Sequence, residues 1–222
     1  MPSNSKLVRC KQQIIQTQAS NSDSYRFFNL LTGPEMLSMV EELLPDDHRE
    51  RQFPPTETLS MFLAQALSED RSCQKVVNDA AIKRLVSGLT LCSTATGGYC
   101  QARQRLPLEM VRTLTRYSGE LINCQVPDQW RWHGRRVHLI DGTTVTMPDT
   151  AKNQEVFPQQ SRQKPGLGFP ISRIVGIICL SSGALLNAAI GPCAGKGSGE
   201  QTLLRSMLDT FEGGDLVLGD AY

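Results

Sequence analysis

The hydrophobic pattern divides the chain into a helical half and a half built of strands. Apolar residues recur at helical spacing in three stretches whose ends are marked mostly by proline, serine or glycine, namely 34–45, 55–69 and 72–87. A further helix is expected to run to about Asn123. Residues 1–24 are polar and predict a loose amino-terminal arm, so we expect an all-helical domain at 25–124.

After a polar, aromatic linker at 125–136, the pattern changes to apolar and β-branched runs separated by turns. Strands are predicted at 137–147, 171–180, 184–190 and 215–220, with an amphipathic helix at 200–211 before the last one. A hairpin and a crossover helix would return the fourth strand parallel to the first. The order β-β-β-α-β is the core order of an RNase H-like domain, which we expect at 137–222. The predicted fold class is therefore α/β, an all-helical domain followed by an incomplete RNase H-like mixed sheet.

Composition describes an ordinary globular protein, with 40% hydrophobic and 20% charged residues. No apolar run approaches the ~20 residues of a membrane span, and the amino terminus does not resemble a signal peptide, so a cytoplasmic protein is expected. The seven cysteines and three histidines show no zinc-site spacing, which favours reduced, mostly buried thiols. The net charge of +1 neither favours nor excludes nucleic acid as a partner.

Two aspartates are candidate site residues because each lies in a predicted strand. Asp141 follows the apolar run at 137–140, where burial of a carboxylate would be costly, and Asp220 ends the last predicted strand. The predicted parallel pairing would place them side by side. Adjacent carboxylates repel each other, and Mg²⁺ relieves that repulsion. Either aspartate alone is better explained as a turn residue that caps backbone amides; the two together favour a metal centre.

Basic residues near two glycine-bearing loops are the candidate DNA contacts. Arg103 and Arg105 lie on a short predicted helix after a glycine-bearing turn, a pattern compatible with helix-turn-helix readout or with a plain helical connector. Lys196 lies in a glycine-rich loop whose spacing does not fit a phosphate-binding P-loop. That loop is better read as a flexible connection, from which Lys196 could still approach a DNA phosphate.

Four segments carry a resemblance to a known family, in the family's order. They are Tyr99–Pro107, Leu139–Thr143, Gly195–Glu200 followed by Leu203–Arg205, and Gly214–Tyr222. Together they resemble bacterial insertion-sequence transposases of the DDE type, of the insertion-sequence-four family. The resemblance covers roughly residues 25–222.

The resemblance implies a helical DNA-binding region and an RNase H-like catalytic domain that cuts and joins transposon ends. It implies two Mg²⁺ or Mn²⁺ ions, with Asp141 as the first catalytic and metal-binding acid and Asp220 as the second. Double-stranded DNA, as inverted-repeat ends and target, is the implied partner, and a homodimer is the expected assembly of the complete enzyme.

The family's third acid, a glutamate in a later helix, has no counterpart in this sequence. Glu200 precedes the second aspartate and does not replace it. We therefore expect an incomplete transposase that binds metal weakly and does not transpose alone. Two alternatives stay open: a non-catalytic DNA-binding remnant or regulator of an intact transposase, and an RNase H-like nuclease unrelated to transposition.

Overall fold

The computed structural model describes residues 34–44, 52–164, 166–195 and 198–220, and the side chains of residues 34–37 are left undescribed. Two compact units divide between Val111 and Arg112. The predicted polar arm at 1–24 lies outside the described residues, and the domain limits predicted at 124 and 136 stay predictions.

The first unit contains helices. They are α1 (Pro34–Leu43), α2 (Pro55–Leu67), α3 (Cys73–Val86) and α4 (Thr96–Gln104), and α5 (Leu108–Cys124) begins in this unit. Proline near the start of α2 fits the first helical turn, where its missing N–H is not needed. Ser72 caps α3 because its side chain accepts a hydrogen bond from the Lys75 amide. The helices predicted at 34–45, 55–69 and 72–87 are confirmed as α1, α2 and α3.

The core of the first unit is built around Tyr99, whose side chain is fully buried. Phe53 packs edge-on against the Tyr99 ring, with ring centroids 6.1 Å apart, and Met61 and Val77 complete the centre of the cluster. The Tyr99 hydroxyl donates a hydrogen bond of 2.8 Å to Oε1 of Gln65. Burial raises the pKa of Tyr99 to about 12, so the phenol remains a protonated donor.

The second unit contains a four-stranded mixed sheet. Its remaining elements are β1 (Val137–Thr146), α6 (Ala151–Val156), β2 (Ile171–Cys179), β3 (Leu185–Pro192), α7 (Glu200–Arg205) and β4 (Leu216–Leu218), with short 3-10 helices at Asp128–Trp130 and Leu208–Thr210. The strand order is β3-β2-β1-β4. β1 is antiparallel to β2 and parallel to β4, which confirms the predicted parallel return of the last strand.

One face of this sheet carries the core of the unit. Val175 and Ile177 of β2 and Leu186 of β3 are buried there with Met207. Partly buried apolar residues of α7 and of the segment after it pack on this face, among them Leu203 and Phe211. The chain is thus a mixed α/β protein whose sheet is covered on this face by the crossover segment.

Two predicted elements differ from the structure. The predicted loop 148–169 contains the short helix α6, which Thr150 caps by accepting a hydrogen bond from the Asn153 amide. The helix predicted at 200–211 is shorter, since α7 ends at Arg205 and a separate 3-10 turn follows. Tertiary contacts hold this second part: the Asn187 side chain of β3 donates to Oγ1 of Thr210 at 2.8 Å.

Within the described residues, none of the helices has the length and apolarity required to cross a membrane.

Candidate functional site

Asp141 and Asp220 each lie two residues beyond the last pair of the parallel strands β1 and β4. Val137 pairs with Leu216 and Leu139 with Leu218, and the same register continued by two residues sets Asp141 opposite Asp220. Contact beyond the last formal pair supports this continuation, since a Cβ added to Gly219 would lie 3.8 Å from the Ile140 carbonyl oxygen. The continued register is thus consistent with the two predicted acids lying at the same level of the sheet.

The sequence-based expectation that Asp141 is buried is wrong. Along β1, His138 is buried and Ile140 packs against the core, whereas Leu139 and Asp141 are exposed. Side chains alternate between the two faces of a strand, so Asp141 projects from the face opposite the core. Asp220 is exposed as well. Neither carboxylate carries the burial cost that the apolar run suggested, and both are open to solvent and to ligands.

A glycine and a backbone amide are the immediate neighbours of Asp141. The residue paired with it on β2 is Gly176, and an added Cβ there would lie 3.2 Å from Cδ1 of Leu185, so the Leu185 side chain lies over this glycine. The amide of Gly142 donates a hydrogen bond of 2.8 Å to Oδ1 of Asp141 and so orients the carboxylate. This contact is local, and it leaves the second oxygen, Oδ2, for other partners.

Glu200 approaches the same strand from the core face. A Cβ added to Gly142 would lie 2.6 Å from Cδ of Glu200, so the glycine makes room for this carboxyl group. Oε1 of Glu200 lies 3.8 Å from Nε of Arg173 on β2. Glu200 thus lies next to Gly142 on the core face of β1, whereas Asp141 projects from the opposite face. In the described part of the chain, no group of three or more His, Cys, Asp or Glu side chains is placed to hold a metal ion.

A second set of contacts joins the same two strands at their beginnings. Nε and Nη2 of Arg136 donate to the two carboxylate oxygens of Asp215 at 2.9 and 3.0 Å. Nε2 of His138 lies 2.9 Å from Oδ2 of Asp215, and the Glu212 amide donates to the same oxygen at 2.9 Å. We call Arg136, His138 and Asp215 the register clamp. Sequence reasoning missed it, although Arg136 and Asp215 immediately precede the two paired strands.

The electrostatics of the register clamp favour an ionised Asp215. Burial acts to raise the pKa of Asp215, but hydrogen bonds from Arg136, the Glu212 amide and His138 outweigh it and leave the pKa lowered. An ionised Asp215 can only accept, so its hydrogen bond with Nε2 of His138 requires a proton on that nitrogen. Nδ1 of His138 is buried and has no hydrogen-bond partner among the described residues.

The contacts of the register clamp also determine the role of Arg136. Arg136 faces three carboxylates, because Glu212 lies 2.7 Å and Glu120 lies 3.8 Å from its guanidinium group, in addition to Asp215. A guanidinium group so surrounded serves the fold and is a poor candidate for a phosphate contact. The neighbouring Arg135 is exposed.

Arg103 and Arg105, two of the three candidate DNA-binding residues, lie in different environments. Arg103 is half-buried; its guanidinium carbon lies 4.6 Å from the centre of the Phe62 ring, and Nη1 donates to Oε1 of Gln65 at 3.2 Å. Arg105 is exposed at the end of α4. Lys196 lies outside the described residues.

The connection from α3 to α4, residues 87–95, is longer than the about three- to four-residue turn of a helix-turn-helix motif.

Comparison with known proteins confirms the resemblance to insertion-sequence transposases. Two curated proteins of Escherichia coli (strain K12) are similar to the chain. The protein named "Putative transposase InsZ" is 28% identical over 154 residues, which cover 65% of this chain and 50% of that protein. "Transposase InsG for insertion sequence element IS4" is 29% identical over 143 residues, which cover 64% of this chain and 31% of that protein.

The match therefore spans half or less of the length of these relatives. No protein-family model matches the chain. No solved structure matches it either. The similarity to transposases thus stands on the two curated relatives and on the motifs that carry the resemblance.

Proposed function

We propose that this chain acts on DNA as a transposase of the DDE type, with an RNase H-like sheet that carries Asp141 and Asp220 as metal-binding acids. The parallel β1–β4 register, which would set the two carboxylates opposite each other if continued by two residues, is the observation that supports the proposal. The similarity to two E. coli proteins named as transposases supports this reaction class. The proposed reaction is cleavage and joining of transposon ends.

The two carboxylates fit a divalent cation. Both are exposed, so an ion bound to them could keep several of its waters, as Mg²⁺ prefers. The Gly142 amide holds one carboxylate oxygen of Asp141 in place. Mg²⁺ or Mn²⁺, two ions in the complete enzyme, would activate the attacking water or hydroxyl and stabilise the leaving oxygen. The chain's own contribution is to hold both acids at one level of the sheet.

The ion is expected to bind weakly to this chain alone. Within the described residues, no group of three or more His, Cys, Asp or Glu side chains is placed to hold a metal ion. Fewer anionic ligands give a lower cation affinity. We therefore propose that the chain by itself does not carry out strand transfer, and robust joining of DNA ends by the isolated chain would contradict this.

Double-stranded DNA is the proposed partner, with the helical unit as the proposed end-binding region. Arg105 is the exposed cation of α4 that could reach a phosphate, whereas the Arg103 guanidinium is engaged with Phe62 and Gln65. Phosphate contacts release counterions, so binding should weaken steeply as salt concentration rises.

The proposal is tested by fluorescence anisotropy with duplexes taken from the DNA that flanks the gene, against scrambled duplexes of the same composition. Specific, salt-sensitive binding together with Mn²⁺ binding that depends on Asp141 and Asp220 is the expected result. Specific DNA binding with Mn²⁺ affinity unaffected in D141N and D220N would favour a non-catalytic regulator. Cleavage of both duplex sets alike would favour a nuclease unrelated to transposition.

A further inference from the structure

Two cysteines of the helical unit lie side by side. Cys73 is the first residue of α3 and Cys100 lies within α4, and their sulfur atoms are 3.9 Å apart. Both residues are partly exposed, and neither forms a disulfide in this structure. Cys92, the other described cysteine in this unit, is partly exposed and likewise free.

Polar groups surround the Cys73 sulfur on the side of α4 and α2. Nη1 of Arg103 lies 3.6 Å from this sulfur, and Nε2 of Gln65 lies 3.5 Å from it. The amino terminus of α3, capped by Ser72, adds the positive end of the helix dipole. Burial, and after it the hydrogen bond to Cys73, raises the pKa of the Cys100 thiol. The two sulfurs therefore interact as a pair and differ in environment.

A pocket gives small molecules access to this pair. Its volume is about 450 Å³, and its lining combines Cys100 and Arg103 with Phe62, Leu106 and Leu108. The pocket lies wholly within the helical unit. A thiol that lines a pocket beside a guanidinium group is accessible to a small anionic disulfide, unlike a thiol sealed in a core.

We propose that Cys73 and Cys100 are a modification site at which a low-molecular-weight disulfide of the glutathione type forms a reversible intramolecular disulfide. The thiolate of one cysteine of the pair attacks one sulfur of the external disulfide, which forms a mixed disulfide and releases one thiol. The other cysteine then attacks the bonded cysteine sulfur and releases the second thiol. The two cysteines lose two electrons and two protons in total, and the external disulfide is reduced to two thiols.

The geometry requires a small local movement. The sulfurs must approach from 3.9 Å to the ~2.05 Å of a disulfide, and rotation of the two side chains is the movement that the proposal requires. The product would join α3 to α4 covalently and restrict the unfolded chain between positions 73 and 100. Arg103 would also lose its thiol partner, so oxidation would change the surroundings of a candidate DNA-binding side chain.

The test uses the full chain, incubated with oxidised glutathione, blocked with an alkylating agent and mapped by peptide mass spectrometry. A linked pair of peptides containing Cys73 and Cys100, with the mass of the chain lowered by about 2 Da, is expected. The oxidised form should unfold about 5 °C or more above the reduced form, and dithiothreitol should reverse both changes. C92S and C124S are matched controls that should still form the link.

Two outcomes would overturn the proposal. One is a peptide map in which both cysteines stay reduced while Cys124, the exposed cysteine of the other unit, carries glutathione. The other is a C73S variant that forms the same amount of intramolecular disulfide as the wild type. The map of the wild-type chain decides the matter even if the C73S variant does not fold.

Discussion

Arg136 and Asp215 are joined by a two-point salt bridge across β1 and β4, and their separation of 79 residues is also the separation of Asp141 and Asp220. The two pairs therefore belong to one register, with the salt bridge before the strand pair and the acids after it. A slip of one residue would turn Asp220 to the other face of the sheet. The register clamp thus fixes the register that would set Asp141 opposite Asp220, although it lies at the other end of the paired strands.

Asp215→Asn should destabilise the sheet unit by about 3 kcal/mol, because it leaves the buried partners Arg136 and His138 without their carboxylate. Urea unfolding measures this loss. Asp209→Asn is the matched control: Asp209 pairs with Arg116 at 2.6 Å, but both side chains are largely exposed, so the change should cost less than about 1 kcal/mol. Equal losses in the two variants would contradict the role of the register clamp.

The contribution of Asp215 should depend on pH in a defined direction. Its folded pKa is lowered, so the stabilisation is fully present above the unfolded value of about 3.9 and is lost as pH falls through the folded pKa. The difference in unfolding free energy between wild type and Asp215→Asn should be constant from pH 7 to about 5 and should shrink below about pH 4. A difference that disappears between pH 7 and 5 would show that another group controls it.

The hydrophobic pattern was sufficient to predict most elements and the parallel pairing of β1 with β4, because those depend on local periodicity and on the handedness of crossovers. It could not predict the exposure of Asp141. Val137 to Ile140 form a continuous apolar run, which suggests burial on both faces, yet Leu139 lies on the open face. The Arg136–Asp215 pair was missed because the contact depends on the tertiary register.

The same limit applies to contacts made by single side chains. Glu200 against Gly142, and Arg103 against Phe62, involve residues far apart in the chain whose meeting no spacing reveals. A glycine directly after a candidate catalytic aspartate was the available signal for the first contact.

Gly142→Ala tests the contact behind Asp141. The new Cβ would lie 2.6 Å from Cδ of Glu200, so that side chain must move, at a cost of about 1 kcal/mol or more. Glu200→Ala removes the obstacle, and the double variant should therefore lose less stability than the sum of the two single variants. Gly213→Ala, where an added Cβ meets nothing within 4 Å, is the control. Additive losses would show that Glu200 does not occupy this position.

Arg103 and Arg105 should behave differently when each is replaced by alanine. Arg103→Ala removes a cation–π contact with Phe62 and a hydrogen bond to Gln65, and should cost about 1–2 kcal/mol of stability. Arg105→Ala removes an exposed side chain and should leave stability within about 0.5 kcal/mol. Thermal unfolding and DNA anisotropy distinguish the two roles. Reduced DNA affinity is expected for Arg105→Ala at unchanged stability, and the reverse pattern would contradict this assignment.

The central claim is that Asp141 and Asp220 together hold a divalent cation, and Mn²⁺ binding followed by electron paramagnetic resonance tests it most directly. The wild-type chain should bind Mn²⁺ weakly. D141N and D220N should each abolish most of that binding, and the double variant should lose little more, because each acid needs the other. Wild-type affinity in either single variant, or two independent partial losses that add in the double variant, would contradict the claim.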